Sequence, residues 1–215
     1  MPEIGGAGTA ATKATAGLDL AGAETIVIAS PHSTRTGVYK AARGDLDAFG
    51  PRGIDVSAET DAEAVEALAA RWGRPVLDAP ADHGIVVPLR LIEPSVPVVT
   101  VAFAEGADAA EPEGLADAVS SLGGAVAFVA SANLSAGLTE RSPLPSLPGA
   151  AEADAAVLDA LRQDPAALAH VDFESAGSCA APVLATFGSL FAGHPCDVLA
   201  YEHPFGVGYA VARTR

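Results

Sequence analysis

Five histidines carry most of the chemistry open to this sequence: His32, His83, His170, His194 and His203. A neutral imidazole can bind a metal, and its charge changes near neutral pH, so it can also move a proton. Three of the five stand in suggestive places. His32 directly follows an apolar run, in Ile28-Ala-Ser-Pro-His-Ser-Thr-Arg35. In open α/β sheets ligands bind beyond the carboxyl ends of the strands, which is where such a residue sits. His83 lies in Asp82-His-Gly-Ile-Val-Val-Pro-Leu-Arg90, and the glycine after it lets another group come close to the backbone. His203 also follows an apolar run, in Tyr201-Glu-His-Pro-Phe205. The two cysteines, Cys179 and Cys196, make no disulfide framework and no Cys-x-x-Cys pair, so a structural zinc site is not expected. Gly5-Gly-Ala-Gly8 has no Gly-Lys-Ser/Thr after it, and Ser131 and Ser135 stand in no Gly-x-Ser-x-Gly elbow.

The elements that must position these residues are legible as apolar runs separated by alanine-rich stretches. Strands are expected at Thr25–Ala29, Pro75–Leu77, Val96–Ala102, Ala125–Ala130, Asp197–Tyr201 and Gly206–Ala212. Continuous apolar strands, rather than alternating ones, imply a sheet covered on both faces. Helices are expected at Asp61–Trp72, Glu113–Leu122, Glu152–Arg162, Asp164–His170 and Pro182–Phe191, the first, third and fifth with apolar residues on one face. The alternation predicts an α/β fold with a central sheet, mostly parallel or mixed, flanked by helices. Residues 1–215 read as a single domain. Three prolines in Arg141–Gly149 make that stretch a surface loop, either a cover for a site or a tether.

Composition narrows the partners. Half of the 215 residues are apolar, enough for a large core, and the net charge is −15. Such a surface repels phosphate backbones and anionic lipid, so neither a nucleic acid nor a membrane is an expected partner. No leader pattern and no apolar run of transmembrane length is seen, so a cytoplasmic location is expected.

Five segments, in order, resemble one family. Ser30-Pro-His-Ser-Thr-Arg-Thr36 followed by Gly44-Asp-Leu-Asp-Ala-Phe-Gly50, then Asp82–Leu89, Ser131-Ala-Asn-Leu-Ser-Ala136, Ala176-Gly-Ser-Cys179 and Tyr201–Tyr209 look like the motifs of the catalytic subunits of class III extradiol ring-cleavage dioxygenases, a family also related to the Memo family. The resemblance implies cleavage of a catechol ring by Fe(II), held by two histidines and one carboxylate with positions open for substrate and O₂. It makes His32 a metal ligand and His83 the residue that orients the reacting groups, with Asn133 nearby in the catalytic cleft. It also implies losses. Ala136 stands at the position of the acid/base histidine, and Ser178 at that of the ligand glutamate. The other ligand histidine belongs to a first strand that would precede Met1-Pro-Glu-Ile-Gly-Gly6, leaving the sheet edge open, with self-pairing into a homo-oligomer as one outcome. Glu174, Cys179 and His203 are the candidate stand-in ligands, a thiolate favouring copper or zinc over iron. The expectation is therefore a family member with a degenerate Fe(II) site, or with another divalent metal or none. The alternative is a non-catalytic module on the same scaffold that binds a small ligand, a metal or a protein, and a hydrolase built on Cys179 is a distant third. A small aromatic molecule is the expected ligand. Phe49, Trp72, Phe173, Phe205 and Tyr209 are the rings that could stack on one.

Overall fold

A computed structural model of the chain describes residues 13–15, 18, 20, 22–47, 52–108 and 110–215. The Met1–Gly6 segment, and with it the expectation about the sheet's first strand, lies outside the described residues, as does Phe49. The chain divides into two compact units, one within Asp19–Ser131 and one centred on Ala132–Arg215.

The first unit is built around strand β1, Thr25–Ser33. Its Thr-Ile-Val-Ile run is β-branched, so it fits a pleated surface, and residues 25–31 are buried because layers cover both faces. β1 is an interior strand of a five-stranded sheet that also contains β2 (Gly37–Tyr39), β5 (Val76–Leu77), β6 (Val98–Ala104) and β7 (Val126–Ala130), in the order β5-β2-β6-β1-β7. β1 runs parallel to β6 and β7, and β2 parallel to β5. β2 is antiparallel to β6, so the sheet is mostly parallel and mixed. The register between β1 and β6 slips between Ser30 and Ser33. That interval holds Pro31, which has no N–H to give to the ladder. The slip re-aims the end of the strand at the residue that carries His32. Two short strands, β3 (Arg43–Asp45) and β4 (Asp55–Ser57), form a separate antiparallel hairpin.

Helix α1, Ala62–Trp72, starts where Asp61 accepts a hydrogen bond from the Ala64 N–H and stops at Gly73, whose φ is +68°. A left-handed residue at that point suits glycine, which has no Cβ to clash. Asp61 also accepts from the Thr25 hydroxyl at 3.0 Å, which ties the helix start to the start of β1. Helix α2, His83–Ile92, has no counterpart among the expected helices. Gly84, Val86, Val87 and an internal Pro88 all argue against helix in the sequence. The segment is helical because Asp82 caps it and because Ile85, Val86, Pro88 and Leu89 are buried against the sheet. Helix α3, Glu111–Ser120, completes the unit, with Leu115 and Ala118 fully buried.

In the second unit, helix α4 (Ala150–Gln163) leads into a 3-10 turn at Pro165–His170 and then helix α5 (Ala181–Leu190). The last two strands, β8 (Cys196–Glu202) and β9 (Tyr209–Thr214), pair with each other as a two-stranded antiparallel sheet. The expected strand at Gly206 begins three residues late because Pro204–Gly206 is a 3-10 turn. The proline-rich stretch 141–149 is irregular, as expected, and its Leu144 and Leu147 side chains lie against Gly177. No helix among the described residues is long and apolar enough to cross a membrane.

Candidate functional site

In the first unit the end of β1 and the start of α2 bring two of the expected residues together. His32 is the eighth residue of β1 and His83 the first of α2. Their rings stack with centroids 4.3 Å apart and planes 29° from parallel. Both are half-buried. Burial holds the His32 pKa below the usual imidazole value, the neighbouring His83 lowers it further, and the Asp82 carboxylate opposes both. Neutral imidazole is the form that can accept a proton or a metal.

Three residues that do not stand out in the sequence lie beneath this pair. Asp82 Oδ1 accepts from the Ser30 hydroxyl at 2.6 Å and from the Gly84 N–H at 2.8 Å. Its Oδ2 accepts from the Tyr39 hydroxyl at 3.0 Å. Ser30 is 0% and Tyr39 3% exposed, so water does not stand in for Asp82 as their acceptor, and the Tyr39 phenol also bonds the Ser33 side chain. Burial, the first cause, pushes the Tyr39 phenol up to about 12, with the Ser33 side-chain hydrogen bond opposing it and the adjacent Asp82 charge adding to it. The fit around Gly84 is close: a Cβ there would lie 2.2 Å from Ser30 Oγ and 3.0 Å from His32 Cδ2. The available signal was the Asp-His-Gly order itself, because aspartate before a helix start is a capping residue.

The second unit groups others. Ser178 donates to the Asn133 carbonyl at 2.9 Å and accepts from the Ala180 N–H at 3.1 Å. Its hydroxyl is thus committed to the loop that enters α5. Cys179 is half-buried and outside any disulfide, and burial raises the pKa of its thiol. It lies within electrostatic reach of Tyr209, whose phenol is raised first by its own burial and then by that thiol. Ala136 binds through its backbone, N–H to the Ala176 carbonyl at 3.2 Å. Glu174 is exposed, in a turn closed by the Gly177 N–H on its carbonyl. His203 is exposed, its ring 6.0 Å from Tyr201. Of the aromatic candidates, Trp72 and Phe173 are core residues and Phe205 and Tyr209 are exposed.

Asp154, on α4, carries no sequence signal of its own. It is 2% exposed, accepts from the Ser135 N–H at 2.8 Å and from the Tyr201 hydroxyl at 2.7 Å, and leaves no room for a Cβ on Gly208. Burial and this carboxylate raise the Tyr201 pKa strongly. Asp154 thereby pins the segment just after Asn133 to α4 and β8.

No group of three or more His, Cys, Asp or Glu residues that could hold a metal ion occurs among the described residues. They therefore do not fit the two-histidine, one-carboxylate set that an extradiol iron needs.

The family model for the catalytic LigB subunit of aromatic ring-opening dioxygenase matches residues 21–212. Among solved structures, an uncharacterized protein from Escherichia coli K12, JW3007, matches with a TM-score of 0.56 at 19% identity, covering 94% of this chain and 89% of that one, which is a likeness of fold. No curated protein matches.

Proposed function

The chain belongs to the family of the catalytic LigB subunit of aromatic ring-opening dioxygenases, and we propose that it is a member whose iron site has degenerated, leaving a scaffold that binds a small aromatic diol without opening its ring. The observation that carries this reading is the use of Ser178. At the position where the resemblance places a ligand glutamate, the side chain is a neutral hydroxyl already engaged with Asn133 and Ala180. A hydroxyl supplies neither the negative charge nor the strong donor atom that balances Fe(II). Ala136, where the resemblance places the acid/base histidine, has no side chain that can carry a proton. Ring cleavage beside a hydroxyl needs that proton moved. What the chain keeps is the His32–His83 pair, two half-buried rings where strand β1 ends and helix α2 begins. An imidazole can accept a hydrogen bond from a phenolic hydroxyl, and a ring face can stack on an aromatic ligand.

The test is direct. Purified protein, loaded anaerobically with ferrous salt, is offered catechol, and two signals are followed: saturable binding by calorimetry and O₂ uptake by electrode. Binding that weakens in His32→Ala, with O₂ uptake no faster than the ferrous control, is the expected result. Catechol-dependent O₂ uptake that disappears in His32→Ala would show an active dioxygenase and overturn the proposal. Absence of catechol binding in the wild type would remove the ligand assignment.

A further inference from the structure

The histidine pair does not hold itself in place: the geometry points to Asp82 as the positioning residue of this site, with Ser30 and Tyr39 as the two buried donors that fix it. The inference rests on the reading of His32 and His83 as the ligand-facing pair, but its first test does not depend on any ligand.

Three observations converge on Asp82. It caps α2, so it sets where the helix begins and hence where His83, the first helical residue, lies. It is held at both carboxylate oxygens: Oδ1 by Ser30 and the Gly84 N–H, Oδ2 by Tyr39. The donors come from β1, β2 and α2, three elements distant in sequence, so the carboxylate is the knot at which they meet. Ser30 stands two residues before His32 on β1, and its Oγ lies 3.4 Å from the His32 N–H. One carboxylate thus fixes both ends of the stack, His83 through the helix start and His32 through Ser30. Gly84 lets the two elements approach this closely, since any Cβ there would meet Ser30 Oγ and His32 Cδ2.

A second capping aspartate stands in the same unit. Asp61 caps α1, accepts from the Ala64 N–H at 2.9 Å and from the Thr25 hydroxyl at 3.0 Å, and touches no histidine. Asp61 and Asp82 therefore form a matched pair. Losing either removes a cap and a cross-link between β1 and a helix, but only the loss of Asp82 should unstack the rings.

An asparagine at position 82 keeps one oxygen and replaces the other with an NH₂ donor. That donor either faces the Gly84 N–H, which cannot accept, or faces the Tyr39 hydroxyl, which must then turn to accept and loses its carboxylate acceptor.

The experiment compares wild type, Asp82→Asn, Ser30→Ala and Asp61→Asn by NMR with selectively labelled histidine. In the wild type, ring-proton cross-peaks between His32 and His83 and their mutual ring-current displacement should be present. Asp82→Asn should lose the cross-peaks and shift both ring signals, and Ser30→Ala should shift chiefly those of His32. Asp61→Asn should keep the histidine signals of the wild type. Cross-peaks that persist in both Asp82→Asn and Ser30→Ala, or that are missing in the wild type, overturn the assignment. If Asp82→Asn does not fold, Ser30→Ala decides alone. Catechol titration of the same four proteins separates the two proposals. Wild type that binds no catechol, with the ring signals behaving as stated, sinks the functional reading and leaves the positioning role intact. Binding that is equal in wild type and in an unstacked Asp82→Asn sinks the claim that the stack serves the ligand.

Discussion

Replacing Tyr39 by phenylalanine isolates the energy stored in the polar knot beneath the histidines. The ring is 3% exposed, so the substitution keeps the packing and deletes one hydroxyl. Near neutral pH the loss is a hydrogen bond to a carboxylate, worth about 1.5–3 kcal/mol. The alkaline range gives a second and independent handle. The native phenol is raised from 10.0 to about 12. Below pH 10 the phenol is protonated whether the chain is folded or not, so its contribution is fully present. Between 10 and 12 the unfolded chain ionises first, which favours unfolding, and the contribution drains away as pH rises through the native value. At about 1.4 kcal/mol per pKa unit the ceiling on the drain is about 2.8 kcal/mol; solvent screening and a titration still incomplete at pH 12 bring the loss by that pH to about 2 kcal/mol. Phenylalanine cannot ionise, so Tyr39→Phe should begin less stable by about 2 kcal/mol and the gap should close towards pH 12. The assay is urea unfolding at pH steps from 8 to 12, followed by the fluorescence of Trp72, the chain's single tryptophan, which is buried in the same unit as Tyr39. Every other alkaline titration is common to both proteins and cancels in the difference. Two stability curves that stay parallel across this range would refute the reasoning, because Tyr39 would then carry no buried, carboxylate-linked proton.

Three further outcomes follow from the same unit. Gly84→Ala should cost about 1–3 kcal/mol by overpacking, offset in part by helix propensity, and should displace the His32 ring, readable by thermal denaturation together with the histidine NMR signals. Asp61→Ala should cost about 1–2 kcal/mol from the lost cap, with Thr25 left without its carboxylate, and differential scanning calorimetry measures it. The depressed His32 pKa predicts that stability holds above the unfolded imidazole value of 6.5 and falls as pH drops below it towards the native value, since the unfolded chain then binds the proton first. His32→Gln should flatten that acidic slope in urea titrations between pH 7 and 5.

Which parts of this molecule were legible in its sequence follows from how far apart the determining contacts lie. β1 and β6 announce themselves because strands covered on both faces need unbroken apolar runs, and β7 carries such a run too, although it is the half-buried edge strand. α1 is equally local, with its aspartate cap and glycine stop inside the segment. α2 is the opposite case. Gly84, the β-branched run Ile85-Val86-Val87 and Pro88 lower its propensity, and it is helical because burial against the sheet and the Asp82 knot outweigh them. β2 to β4 are three residues each, too short for a period to show. β8 and β9 were visible as strands, but their pairing with each other was not, because composition does not record a strand's neighbour. The site divides in the same way. His32 and His83 stand out because histidine is scarce and both flank turns of the chain, and the order of motifs led to the family. Ser30, Tyr39 and Asp82 did not stand out, since each is an ordinary residue whose role appears only when positions 43 and 52 residues apart meet at one carboxylate. The lesson for reading such chains is specific. A histidine next to an aspartate and a glycine calls for a search for the helix that the aspartate caps, because that cap, more than the histidine itself, decides where the imidazole can point.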